Sequence, residues 1–192
     1  MILNTYFVFF SATIFANCTL ITKGGILTDQ PVTPPRVSWD EYFIKIANTV
    51  AERATCDRGM VGCVIVHENH IVVTGYVGSP PGLPHCHDVG HQIKETIHEN
   101  GDVTQHCVRT IHAEQNAIVQ AARIGVSIKD TTLYCRMTPC RVCAMLIIGV
   151  GIRRVVCEQK YHAGAESEEM FRQVGIELVF MSNKVLEYPS PK

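Results

Sequence analysis

The sequence predicts an α/β fold with a mixed, mainly parallel central sheet, and three observations predict it. Short β-branched-rich runs alternate with stretches of helical periodicity along most of the chain, the pattern of strands crossed over by helices. The first two runs are joined by a link short enough for an antiparallel hairpin, which makes the sheet mixed. The composition, 46% hydrophobic and 18% charged over 192 residues, suits one well-packed core.

Each element has its own signal. Ser38, with Glu41 three residues on, forms a capping box for a helix from Trp39 to Ala54, along which Tyr42, Phe43, Ile46, Ala47 and Val50 recur at helical spacing. Val61 to Val66 and Ile71 to Tyr76 read as strands joined through His67, Glu68, Asn69 and His70. Gly75 to His91 is rich in Gly and Pro and reads as a long loop, of the kind that carries function in a compact domain. A polar stretch runs on to Arg109. Ala113 to Ile124 reads as a central helix stopped by Gly125. Thr131 to Met137 is a strand, Cys140 to Val150 a helix with Pro139 at its first position, and Arg153 to Glu158 a strand. A polar helix from Ala165 to Val174 and a strand from Ile176 to Met181 close the alternation. Strands alternating with helices imply a sheet covered on both faces.

The domain organisation follows from where this regularity starts and stops. Residues 1–36 are apolar from Ile2 to Ile21 and then rich in Gly, Thr and Pro, and are expected to lie outside the fold. No Lys or Arg precedes Lys23, and Asn17 and Cys18 interrupt the apolar run, so export and membrane anchoring are the weaker readings. Residues 37–183 form the folded domain and 184–192 a tail. A net charge of −1 and a pI near 6.7 argue against a nucleic-acid partner and favour a small ligand.

Nine cysteines and nine histidines are the compositional outliers. They fit either a disulfide-rich secreted domain or a reduced metal protein, and a Pro-Cys-x-x-Cys pair preceded by a His-rich region favours metal in a cytoplasmic chain. His112-Ala113-Glu114 opens one helix and Pro139-Cys140-Arg141-Val142-Cys143 another, so His112, Cys140 and Cys143 are candidate zinc ligands. The positive end of a helix favours the thiolates that zinc needs. Three protein ligands leave the fourth tetrahedral position to water, whose pKa zinc lowers to about 7. Glu114, two residues from a ligand, is placed to shuttle protons from that water, first to a ring nitrogen and then to leaving ammonia. The pair of motifs is the signature of zinc deaminases that attack C4 of cytosine or C6 of adenine. The competing reading is a structural Cys/His zinc site.

Over about 145 residues the chain resembles the deoxycytidylate deaminases and their relatives encoded in bacterial competence operons. The resemblance rests on Ser38 to Phe43, Arg53 to Cys56, Val61-Gly62, Gly75-Tyr76, Pro84 to Cys86, Arg109 to Ile118 and Pro139 to Cys143. It implies a three-layer α/β/α cytidine-deaminase-like fold, conversion of dCMP to dUMP and ammonia, a homo-oligomer that is often a hexamer, and control by dCTP and dTTP. It also implies that Val77, Ala113, Thr138 and Tyr161 line the substrate site, with Tyr161 equally readable as an ordinary strand-end aromatic. Val77 departs from the family, which has an asparagine there that contacts the nucleotide. Arg136 and Met145 depart too, where threonine and lysine are common. An alternative is therefore a catalytically weak zinc-stabilised paralogue acting as a binding or assembly module, or a deaminase of another nucleobase.

Cys56, Cys86 and Cys107 resemble the extra cysteines of family members with a second, structural zinc. Histidine replaces cysteine readily as a zinc ligand, and His91, which stands where such relatives have a cysteine, is the expected fourth ligand, with His87, His98 and His106 as alternatives. The other reading is buried cysteines beside loop histidines. Cys63, Cys135 and Cys157 fall in strands and read as small core residues.

Overall fold

The computed structural model describes residues 35–97 and 103–186. The chain divides into two units, Met1–Pro35 and Arg36–Lys192. The expected apolar extension therefore lies almost wholly outside the described residues, as do His98 and the last part of the expected tail.

Helix α1, Trp39–Ala51, begins as its sequence dictates. Glu41 N donates to Ser38 Oγ at 3.2 Å while the Glu41 carboxylate accepts from Ser38 N at 3.0 Å. It stops three residues short of the expected Ala54. The chain there tightens into i−3 bonds, Arg53 N to Val50 O and Ala54 N to Ala51 O, and no residue propagates the α pattern. A 3₁₀ turn, Asp57–Gly59, leads into β1, Gly62–His67, which pairs antiparallel with β2, His70–Tyr76. Glu68 and Asn69 both have positive φ, 46° and 63°, as a two-residue primed hairpin turn requires.

The long loop contains one short helix, α2 at Cys86–Val89. The polar stretch after it is not irregular: β3, Ile93–Ile97, and β4, Val103–Cys107, form a separate antiparallel pair. Then come α3 at Ala113–Ile124, β5 at Thr132–Met137, α4 at Arg141–Gly149, β6 at Arg154–Tyr161, α5 at Ala165–Val174, β7 at Glu177–Phe180 and β8 at Val185–Leu186. Other boundaries besides that of α1 differ from expectation, and β6 runs three residues past the expected Glu158. Pro139 precedes the cap of α4 rather than opening its first turn, because Cys140 takes the cap position. Residues 185 and 186, assigned to the tail, pair with Lys160 and Tyr161 of β6.

The main sheet runs β2-β1-β5-β6-β7, with the first two pairings antiparallel and the next two parallel. Period-two alternation splits its residues between two cores. Val64, Val66, Tyr134 and Val156 pack against Phe43, Ile44 and Ala47 of α1. Cys63, Ile65, Leu133, Cys135, Val155 and Cys157 face the opposite side, with Ala117 of α3, Ile147 of α4 and Phe171 of α5. Helices thus cover both faces. Cys63, Cys135 and Cys157 lie in register on three neighbouring strands and are fully buried, the expected small core residues. No helix among the described residues is long and apolar enough to cross a membrane.

Two close approaches fix the layer that carries the motifs. A Cβ on Gly75 of β2 would lie 2.6 Å from Ala117 N and closer still to Ala113 O, so only glycine lets α3 settle on this strand. Asn116 then donates from Nδ2 to Tyr76 O at 2.8 Å. On the other face Asp40 of α1 accepts two bonds from Arg154, each 2.8 Å, and one from Tyr134 Oη at 3.0 Å. Arg153 pairs with Asp130, and Lys160 lies over the Phe180 ring. These three cations are thus engaged outside the cavity described below.

Candidate active site

His112 and Cys140 are the cap residues of α3 and α4, and both have extended backbone that turns the side chain back over the helix start. Cys143 follows one turn into α4. His112 Nδ1 lies 3.4 Å from Cys140 Sγ and 3.4 Å from Cys143 Sγ. Zinc bonds of about 2.3 Å to sulfur and 2.0–2.1 Å to nitrogen place tetrahedral S···N edges at about 3.5 Å, so these spacings fit the ion. All three ligand atoms lie within 4.8 Å of one another.

The electrostatics suit a cation. The Cys143 thiol hydrogen bond, with the His112 imidazole beside it, draws Cys140 down to about 4. The same bond, burial and the nearby Glu114 push Cys143 up. Zinc binds both sulfurs as thiolates, so an incoming ion must displace any thiol proton there. Glu114, two residues beyond His112 in the first turn of α3, is 4% exposed. Burial pushes its carboxyl up, and Cys143 Sγ donates to its Oε2 at 3.6 Å.

Cys56, Cys86, His91 and Cys107 form a second group with ligand atoms within 4.8 Å of one another. Cys86 and Cys107 sulfurs are 3.6 Å apart, and Cys56 Sγ is 3.6 Å from His91 Nδ1. These too are close to tetrahedral zinc edges. Against its burial, Cys107 is drawn down to about 7 by the backbone N–H groups of Arg109 and Gln92 and by His91, while burial and the Cys107 bond push Cys86 up to about 12. Among the described histidines it is His91, not His87 or His106, that joins these sulfurs.

Both groups border one cavity of about 580 Å³, within the range of about 300–1,000 Å³ usual for small-molecule sites. Its walls include Val77, Ala113, Thr138 and Tyr161, the four residues expected there, with Glu114 among them. Thr138 Oγ1 accepts from Tyr161 N at 3.2 Å, tying the ends of β5 and β6 together across it. Arg58, Gln105, His106 and His162 also line it and were not singled out for this role. The signal that could have found Arg58 was its place two residues after Cys56. Gln105 and His106 depend on the β3–β4 hairpin, which has no apolar alternation to announce it.

Known proteins place this geometry. The cytidine and deoxycytidylate deaminase zinc-binding region matches residues 37–159. The chain belongs to this family. The deoxycytidylate deaminase of Saccharomyces cerevisiae is 38% identical over 141 residues, which is 73% of this chain and 44% of the yeast protein. The ComE operon protein 2 of Bacillus subtilis is 36% identical over 141 residues, 73% of this chain and 70% of that protein. The dCMP deaminase of cyanophage S-TIM5, solved in complex with dCMP and dUMP, has 26% identity and a TM-score of 0.58 over 73% of this chain and 95% of its own. The chain thus spans less than half the length of the yeast relative and nearly all of the phage one. Family membership makes this a zinc-binding deaminase domain.

Proposed function

We propose that this chain hydrolyses dCMP to dUMP and ammonia, using the His112–Cys140–Cys143 centre and Glu114. The observation that carries the reading is the meeting of three zinc-compatible ligand atoms with a buried carboxylate at one wall of a nucleotide-sized cavity. The choice of dCMP is supported by the relatives, named deoxycytidylate deaminase in yeast and dCMP deaminase in the phage.

Zinc held by His112, Cys140 and Cys143 would supply Lewis acidity, lowering the pKa of water so that hydroxide is available to attack C4 at neutral pH. The chain's residues do the rest. Glu114 takes one proton from the attacking water, holds it on a carboxylate whose proton affinity burial has raised, and delivers it to N3 of the ring. It then takes the second proton of that oxygen and delivers it to the departing amine as the C4–N bond breaks, leaving a C4 carbonyl and ammonia. Ala113, Val77, Thr138 and Tyr161 close around the base and sugar and exclude bulk water. Arg58, His106 and His162, also on the cavity wall, are the nitrogen donors this reading offers to a monophosphate.

Cys56, Cys86, His91 and Cys107 hold a second, structural zinc in this reading, supported by their spacing. Residues 37–183 act as the deaminase domain, extended by the pairing of Val185 and Leu186 with β6. Assembly into a homo-oligomer is supported by the exposed apolar side chains Val142, Met145 and Leu146 along α4, and dCTP and dTTP are the effectors to test on it. Among the described residues every cysteine is a free thiol, as suits a cytoplasmic protein. A second reading, altered substrate choice or weak catalysis, is favoured by Val77, which puts a buried methyl pair on the cavity wall. Ammonia release from a panel of cytosine nucleotides separates the two.

A further inference from the structure

His91 is held from two sides. Its Nδ1 lies 3.6 Å from Cys56 Sγ, and its Nε2 lies 3.0 Å from Asp57 Oδ1. The two partners are neighbours in sequence: Cys56 caps the 3₁₀ turn that Asp57 opens. One turn of chain therefore presents a sulfur to one ring nitrogen and a carboxylate to the other. As an ion pair this contact is worth little for stability, because the Asp57 side chain is 70% exposed. What it can do is orient. An imidazole, unlike a thiolate, has two nitrogens and a plane, and it ligates well only when the far nitrogen has an acceptor that fixes both tautomer and ring rotation. His91 needs such an acceptor, since it sits on a loop directly after Gly90, whose φ is +79°. Arg109 Nε steadies that loop through its backbone, donating to Gly90 O at 3.0 Å.

We propose that Asp57 is the positioning residue of the Cys56–Cys86–His91–Cys107 centre, accepting from His91 Nε2 so that Nδ1 faces the three sulfurs. The proposal rests on the reading of those four residues as a metal site. Its consequence reaches the cavity, because Cys107 ends the β4 strand whose Gln105 and His106 form part of the wall. The Arg58 guanidinium adds a bond to Gln105 O at 3.2 Å, so the turn that carries Asp57 also grips the hairpin directly.

Zinc release from the full-length chain to a chromogenic chelator, calibrated by elemental analysis, tests this. The wild-type chain is expected to hold two zinc ions, and Asp57→Asn to release one of them about 10–100-fold faster while the other is unaffected. The ion that stays bound reports that the fold is intact. Asp57→Glu, which keeps a carboxylate, is expected to fall between. In a His91→Cys background the ligand no longer needs an acceptor, so adding Asp57→Asn should change nothing. Equal release rates for wild type and Asp57→Asn would overturn the proposal, as would the same acceleration in the His91→Cys background, which would make Asp57 a part of the turn and not of the site. A wild-type chain holding a single zinc overturns the metal-site reading itself, an outcome distinct from either of these.

Discussion

His112 and Cys140 occupy the same position in two different helices, the cap residue ahead of the first turn, and Nδ1 of one lies 3.4 Å from Sγ of the other. The metal centre is thus the meeting point of two helix starts, and anything that shifts either helix on the sheet shifts the ligands.

Gly75 sets the height of α3 above β2. Gly75→Ala places a methyl against Ala113 O and Ala117 N, and it should destabilise the fold by about 1–3 kcal/mol. Urea unfolding midpoints check the cost. An Ala variant as stable as the wild type would mean that α3 is free to move.

Asp40 anchors α1 to the far face through Arg154 and Tyr134. The Arg154 hydrogen bonds hold its carboxyl below the usual range, so the stability it contributes is present above the unfolded value near 4 and is lost as pH falls through the lower folded value. Asp40→Asn should therefore cost on the order of 1–3 kcal/mol at pH 7, and the gap to wild type should close as pH drops below about 4. Unfolding curves at pH 7 and pH 3 measure both.

Cys107 belongs to the second centre alone. Cys107→Ser should lower the metal content from two zinc ions per chain to one, read by elemental analysis, with the His112 centre still loaded. One ion in both proteins would dismiss the second centre.

Val77 puts an apolar surface on the cavity wall, where the family resemblance implies an asparagine. Val77→Asn should raise kcat/KM for dCMP by about one to two orders of magnitude, the worth of a hydrogen bond of about 1–3 kcal/mol. No gain would indicate that the substrate makes no polar contact at this wall.

The parts of the fold that were legible in the sequence are those with a local cause. Helix α3 spans Ala113–Ile124 as read, because apolar spacing begins after His112 and Gly125, with φ of 72°, ends it. Ser38 and Glu41 announced α1 by the bonds they make. The β3–β4 hairpin was not legible: Lys94, Glu95, Gln105 and His106 show no alternation, since neither face is buried on the main sheet. Pro139 misled, because the helix starts two residues later, at Arg141, after the extended cap that turns Cys140 toward His112. In the site, His112, Cys140, Cys143 and Glu114 could be found from spacing, whereas the Asp57–His91 contact spans 34 positions and exists only once the loop has folded back.

The most direct test is ammonia release by the purified chain from dCMP, CMP, dCTP and deoxycytidine, with Glu114→Gln as control and zinc measured in both proteins. Preferential turnover of dCMP, falling by about 10²–10⁴ in a control that retains its zinc, is the predicted result. A zinc-loaded wild type that releases no ammonia from any of the four, or one that Glu114→Gln leaves equally active, would contradict the account.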